Sequence, residues 1–188
     1  ILTSDSQMLI AICGLAGAGK TTSLDILEGI GAGAILYVGS FVTAEVASRG
    51  MPATPQSERL VRDEIREADG MAAFAQRALP TINGILEAGR TVLVDAIYCA
   101  EEYEFYRKNC DNQVVLIAVE TAKCERERRL SVRTLRPIDS DALAKRDEYE
   151  LTRLGLADVI EAAEYKIVNN GSFEDLERAL ERFAGCLR

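Results

Sequence analysis

Gly14, Gly19, Lys20 and Thr21 lie in the run Gly14-Leu15-Ala16-Gly17-Ala18-Gly19-Lys20-Thr21 and complete the spacing G-x-x-x-x-G-K-[ST]. The chemistry of that spacing is a grip on a polyphosphate. Glycines let the backbone turn tightly and present successive N–H groups to phosphate oxygens, and the helix that follows adds the positive end of its dipole. The backbone at Gly14, Ala16, Gly17, Ala18, Gly19, Lys20, Thr21 and Thr22 is expected to form this cradle. Lys20 is expected to reach the outer phosphates and the Thr21 hydroxyl to coordinate Mg²⁺, which makes ATP and Mg²⁺ the expected cofactors.

Two further groups could work with this loop. Asp95 closes Thr91-Val92-Leu93-Val94-Asp95, four residues of strand character and then an acid, the form of a Walker-B carboxylate that shares Mg²⁺ with Thr21. The alternative is an acid that caps the next helix. Glu120 follows a strand in the same way and reads as a helix-initiating acid. Arg126, Arg128, Arg129, Arg133 and Arg136 crowd one short segment, and on a helix Arg126, Arg129 and Arg133 fall on one stripe that could neutralise phosphate charge in the transition state. Arg128 falls off that stripe, toward water. Salt bridges to Asp139, Asp141 and Asp147 are the competing use of these arginines.

A phosphate loop needs a strand to enter it and a helix to leave it. Met8 to Cys13 is a short apolar run rich in branched residues, as a strand buried on both faces should be. From Thr21 to Ile30, Leu24, Leu27 and Ile30 share one helical face while Asp25 and Glu28 turn away. Further strands are expected at 34–38, 91–94, 114–119 and 165–168. Helices are expected at 41–48, 56–68, 71–87, 101–108, 123–135, 141–154 and 173–183. This alternation implies an α/β fold, a parallel sheet covered on both faces by right-handed crossovers. Ligands in such sheets bind at the carboxyl ends of the strands, where Gly14 and Asp95 both fall. The strandless excursion 123–156 could form a helical flap over the nucleotide.

The 188 residues are 48% hydrophobic and 28% charged, which suits one globular domain, and no linker or repeat divides them. A net charge of −8 argues against general binding of nucleic acid or anionic membranes. No apolar run suggests a membrane span or a signal segment, so a cytoplasmic location is expected. Cys13, Cys99, Cys110, Cys124 and Cys186 form no C-x-x-C pair and read as reduced thiols. The chain has no histidine, which removes Ser-His-Asp and Cys-His catalysis and the H-E-x-x-H zinc site. A general base here must be a carboxylate.

With these motifs in hand, the chain resembles the nucleotide-kinase-like branch of P-loop proteins that contains adenylate and cytidylate kinases and dephospho-CoA kinase. It is most similar to a dephospho-CoA kinase-related family. The resemblance runs from Leu9 to Phe183 through the loop, Thr54-Pro55, Ile65-Arg66-Glu67-Ala68-Asp69-Gly70, Val94-Asp95-Ala96-Ile97, Glu101 to Tyr106, Arg146-Asp147 and Ala163 to Ser172. It implies a three-layer P-loop kinase fold with a five-stranded parallel sheet, an acceptor-binding helical region at about 40–77 and an arginine-bearing lid at about 123–156. Two departures stand out: Thr43 and Tyr98 occupy positions where the family places arginines that grip an acceptor phosphate. Neither residue replaces a bidentate cation. Arg66 is the best placed substitute by resemblance. Otherwise the acceptor is a neutral hydroxyl, with Asp95 as its base and Tyr98 packing or stacking on a ring.

The expected activity is therefore ATP-dependent phosphoryl transfer to a small-molecule acceptor: a nucleotide, a nucleoside or a CoA precursor. The alternative is an ATP-binding or ATP-hydrolysing switch that acts through a protein partner. A GTPase is disfavoured because no N-K-x-D motif is present, and ring ATPases need elements beyond this short chain.

Overall fold

The computed structural model describes residues 7–133 and 137–187. Strand β1 (Met8–Cys13) is buried along its whole length because its two faces meet two different helical layers. Leu9, Ala11 and Cys13 join one apolar cluster and Met8, Ile10 and Ile12 the other. The remaining strands are β2 (Ala34–Tyr37), β3 (Val92–Asp95), β4 (Gln113–Glu120) and β5 (Tyr165–Val168). They form one five-stranded sheet in the order β2-β3-β1-β4-β5, and every neighbouring pair is parallel. The α/β expectation of a parallel sheet between two helical layers is what the chain adopts.

One layer holds α1 (Lys20–Gly29) and α9 (Phe173–Cys186), whose Leu24, Leu27, Leu176, Leu180 and Phe183 pack on Ile10, Ile12 and Ile117. The other holds α2 (Gly39–Ser48), α3 (Pro55–Asp69), α4 (Ala73–Glu87), α5 (Ala100–Asn109) and α8 (Leu156–Ala162). Local signals set several helix starts. Thr54 accepts a hydrogen bond from the Ser57 amide ahead of Pro55, and Ser172 and Asp175 form a reciprocal capping box.

The excursion after β4 departs from the expected two long helices. Helix α6 (Lys123–Ser131) stops short of residue 135, and Arg136 lies outside the described residues. Asp139 caps α7 (Ser140–Glu148), which runs into a π-helical turn, Tyr149–Arg153, and then α8. The expected single helix 141–154 is thus a helix plus a π turn. Gly155, at φ +70°, ends it and redirects the chain so that Leu156 and Val159 pack against the sheet. Ala16 of the glycine-rich loop, Leu130 and Leu143 form a third small cluster that seats α6 and α7 on the loop. Among the described residues, no helix is long and apolar enough to cross a membrane.

Candidate functional site

The glycine-rich loop leaves β1 at the centre of the sheet, and its carbonyls are turned outward by partners far away in sequence. The Ala16 oxygen accepts from Arg126 at 3.1 Å. The Ala18 oxygen accepts from Asn169 Nδ2 at 2.8 Å and from Thr121 Oγ1 at 2.9 Å. The Gly19 oxygen accepts from the Ser23 hydroxyl at 2.9 Å. A peptide plane has its N–H opposite its C=O, so pinning these oxygens in the protein leaves amides facing the concave side. Between Leu15 and Gly19 only the Ala18 amide donates to a backbone carbonyl among the described residues, Leu15 at 3.2 Å. The first-turn amides of α1 have no intrahelical acceptor either. The result is an anion hole.

Two glycines allow this shape. Gly14, at φ +138°, passes so close to the Val119 carbonyl that a side chain there would collide with backbone. Gly19, at φ +103°, lies under Asn169, and a Cβ at Gly19 would stand 4.0 Å from Arg129 NH1. The asparagine after β5 is therefore a structural partner of the loop that local motifs did not reveal. Its one sequence signal is its place just beyond a strand's carboxyl end.

Lys20 Nζ donates to the Gly14 and Leu15 carbonyls at 2.7 and 3.2 Å and stands 5.9 Å from the Tyr98 ring centre. Burial lowers the Lys20 pKa; the Glu150 charge is the strongest influence opposing that shift, and Arg146 reinforces it. The Asp95 carboxyl, at the end of β3 beside β1, is raised above the ordinary aspartate range by burial and drawn back by Lys20. Thr21 is exposed in the first turn of α1. No cluster of three or more His, Cys, Asp or Glu side chains suited to a metal occurs among the described residues. A hydroxyl and one carboxylate at a polyphosphate cradle fit Mg²⁺, which keeps most of its waters and takes phosphate oxygens as ligands. Thr22 turns away from the cradle and lines a shallow hollow of about 400 Å³ with Asp25, Ile26 and Phe173.

The arginines divide differently from the expected stripe. Arg126 is 3% exposed and forms a two-pronged pair with Asp147, 2.9 and 2.6 Å, while it also holds the Ala16 carbonyl. That corrects its expected role: a guanidinium enclosed by a carboxylate and a loop carbonyl positions the cradle and is not free to follow a phosphate. Arg129 reaches Glu125 and the Asn169 carbonyl, both at 3.0 Å, at the edge of the cradle. Arg128 pairs with Glu125 in solvent. Arg133 is exposed and makes no hydrogen bond or ion pair among the described residues.

Arg146, which the resemblance covers without assigning it a role, and Glu150, which no motif marks, stand close enough that their charges act on both Lys20 and Tyr98. Their i,i+4 spacing was the available signal. Arg146 Nε donates to Glu150 Oε1 at 2.7 Å. Burial works against the Arg146 charge, but Glu150, Tyr98 and Asp147 outweigh it and raise its pKa.

In the helical region expected to take the acceptor, Arg66 is 8% exposed, pairs with Glu102 at 3.3 Å and lies over Phe74. The other Glu102 oxygen accepts from the Tyr98 amide at 2.9 Å. Arg66 therefore ties α3 to α5 and shapes the turn after β3, while its Nε is buried without a hydrogen-bond partner among the described residues. Thr43 is exposed and donates to the Ser40 carbonyl within its own helix. Tyr98 is half-buried in the site, its phenol pushed up to about 12 by burial and the Glu150 charge.

Strand order, a strand-loop-helix with amides turned inward, and a carboxylate on the adjacent strand together define the P-loop class. The chain matches the AAA domain family over residues 10–150 and belongs to it. It also belongs to the UPF0200 family: a UPF0200 protein of Pyrococcus abyssi is 30% identical over 178 residues, 93% of this chain and 94% of that one. A UPF0200 protein of Aeropyrum pernix is 31% identical over 97% of this chain and 95% of its own length. The chain spans about half, 52%, of a UPF0200/UPF0201 protein of Archaeoglobus fulgidus, with 33% identity. Among solved structures, shikimate kinase from Acinetobacter baumannii in complex with shikimate shares the fold at TM-score 0.58 and 20% identity, covering 97% of this chain and 95% of the other. A gluconokinase from Sinorhizobium meliloti does so at TM-score 0.51 and 13% identity, over 97% and 95% of the two chains.

Proposed function

We propose that this chain is a kinase that moves the γ-phosphoryl group of ATP to a small-molecule acceptor. The observation that supports it most is the loop whose Ala16 and Ala18 carbonyls are taken up by Arg126, Asn169 and Thr121, with Lys20 and Asp95 close enough to interact at its open side. In this reading the excursion 123–156 is the lid. Arg129 and Arg146, and Arg133 on the exposed end of α6, follow the charge of the phosphates. Arg146 exchanges part of its pairing with Glu150 for them. Thr21 and Asp95 would hold Mg²⁺, which would supply neutralisation of phosphate charge.

The reaction breaks the bond between the γ-phosphorus and the β–γ bridging oxygen, leaves ADP, and forms a bond to the acceptor oxygen. Asp95 takes the hydroxyl proton, a role that its raised pKa suits. Positioning and electrostatics suffice for this chemistry, so no covalent residue is required.

The test is ADP release with and without candidate acceptors. A kinase accelerates severalfold or more when its acceptor is present, whereas the alternative, a slow ATP-hydrolysing switch, does not. Lys20→Ala is expected to lower turnover on the order of 10² to 10³-fold, the usual effect of removing one transition-state cation. Unchanged turnover in that variant would remove this loop from the chemistry.

A further inference from the structure

Two half-buried cations among the described residues have no carboxylate within ion-pair reach: Lys20 of the loop and Arg62 of α3. The other described arginines that are not exposed are each answered, Arg66 by Glu102, Arg77 by Asp69, Arg126 by Asp147 and Arg129 by Glu125. Taking a guanidinium partly out of water without a counter-charge costs free energy, and its planar fork is shaped for a carboxylate or a phosphate. In the phosphotransfer reading, Lys20 is met by the phosphates of the donor. Arg62 is left without a task.

Helix spacing puts Arg62 at the crevice. Arg59, Arg62 and Arg66 follow one another at offsets of three and four along α3, which sets them on one face. The two outer members fix where this face looks. Arg66 pairs with Glu102, which also takes the Tyr98 amide, so that end meets the turn after β3. Arg59 lies over the Tyr149 ring at 5.4 Å, so the other end meets the π turn. Arg62 stands between those contacts, and its charge, together with those of Glu150, Arg146 and Asp95, acts on Tyr98, whose ring centre is 5.9 Å from Lys20 Nζ. Lys20, Asp95, Tyr98 and Arg62 are all partly open to solvent, so a ligand can reach each of them. The two carboxylates of these surroundings have cations of their own: Glu150 is paired with Arg146, and Asp95, raised by burial, is drawn back by Lys20.

We propose that Arg62 binds an anionic group, a carboxylate or a phosphate, carried by the phosphoryl acceptor, so that the acceptor is an anion with a free hydroxyl. The proposal rests on the phosphotransfer reading and narrows it. The hydroxyl faces Asp95 and the γ-phosphate, and the anionic group lies toward α3. Arg62 is then a specificity-determining residue. It supplies from α3 the cation that Thr43 and Tyr98 do not supply from α2 and the turn after β3.

Matched ligands that differ in charge provide the test. With the site filled by magnesium and a non-hydrolysable ATP analogue, saturation-transfer NMR would compare gluconate with sorbitol, pantothenate with pantothenol, and AMP with adenosine. In at least one pair the anion is expected to bind about tenfold more tightly than its neutral partner, or better. The first two pairs report a carboxylate and the third a phosphate. Arg62→Gln should cut that preference to about threefold or less and leave the affinity for the ATP analogue within about twofold. Arg90→Gln, at an exposed arginine ahead of β3, should behave as wild type, which separates a specific pairing from a change in net charge. No preference for the anion in any pair, silence from every compound, or a preference that Arg62→Gln leaves intact overturns the proposal. Arg62 makes no ion pair, so its loss strands no partner and the variant is expected to fold; the wild-type comparison can overturn the proposal without it. Binding of the ATP analogue to the wild type separates the two levels: its absence strikes the phosphotransfer reading, and its retention without a preference for anions strikes only the role of Arg62.

Discussion

The two sides of the crevice handle charge differently. On the loop side, Arg126, Asn169 and Thr121 occupy backbone carbonyls, and amides are what remains open. Across the crevice charged side chains are paired with one another, Arg66 with Glu102 and Arg146 with Glu150, and single atoms of both signs, Arg66 Nε and Glu150 Oε2, are what remains buried and unpartnered. A site is recognised by the groups its own framework leaves over. The leftover amides of the loop suit an anion, whereas the far side leaves one donor and one acceptor, which suit a ligand that offers both.

That contrast can be tested from each side. The largest effect is expected at Asp147. Replacing it in Asp147→Ala leaves Arg126 buried without its counter-charge, a loss on the order of 3 kcal/mol or more, and frees the Ala16 carbonyl to rotate. Denaturant unfolding should show the destabilisation and calorimetry a weaker grip on MgATP. Arg66→Met should cost about 2 kcal/mol, less because Glu102 keeps the Tyr98 amide as a donor. Its MgATP affinity should match wild type; a large selective loss would show that Arg66 serves the phosphates after all.

The smallest effect has the reverse sign. The folded pKa of Asp95 lies above its unfolded value, so the native state binds a proton more readily. Its contribution to stability is therefore full at low pH and falls as pH climbs through the raised value. Asp95→Asn should remove that fall and raise the Tm of the ligand-free protein at neutral pH by about 2–4 °C, while it abolishes the magnesium dependence of nucleotide binding. A lower Tm would mean that Asp95 is a structural cap.

Most of the loop side could be read directly from the chain. The strand, the glycines, Lys20, Thr21 and Asp95 are neighbours in sequence or end apolar runs, so local pattern carries them. The parallel sheet and both covering layers followed from the same alternation. What escaped was set by distance along the chain. Asn169 meets Ala18 across 151 residues and Thr121 meets it across 103, with no periodicity to announce either contact. The pairing of Arg126 with Asp147 is the competing use that the sequence offered for this arginine; what local pattern could not show is the packing of Leu130 and Leu143 on Ala16 that seats the pair against the loop. The π turn also defeated pattern reading. One extra residue per turn shifts the side-chain phase, and Glu150 lies buried in that turn, paired with Arg146.

Calorimetric titration of MgATP into the wild-type chain and Lys20→Ala bears most directly on the anion hole. One saturable site per chain in the wild type, lost or weakened at least tenfold in the variant, is the expected outcome. No heat of association in the wild type, or equal affinity in both, would contradict the reading of this loop as a nucleotide cradle.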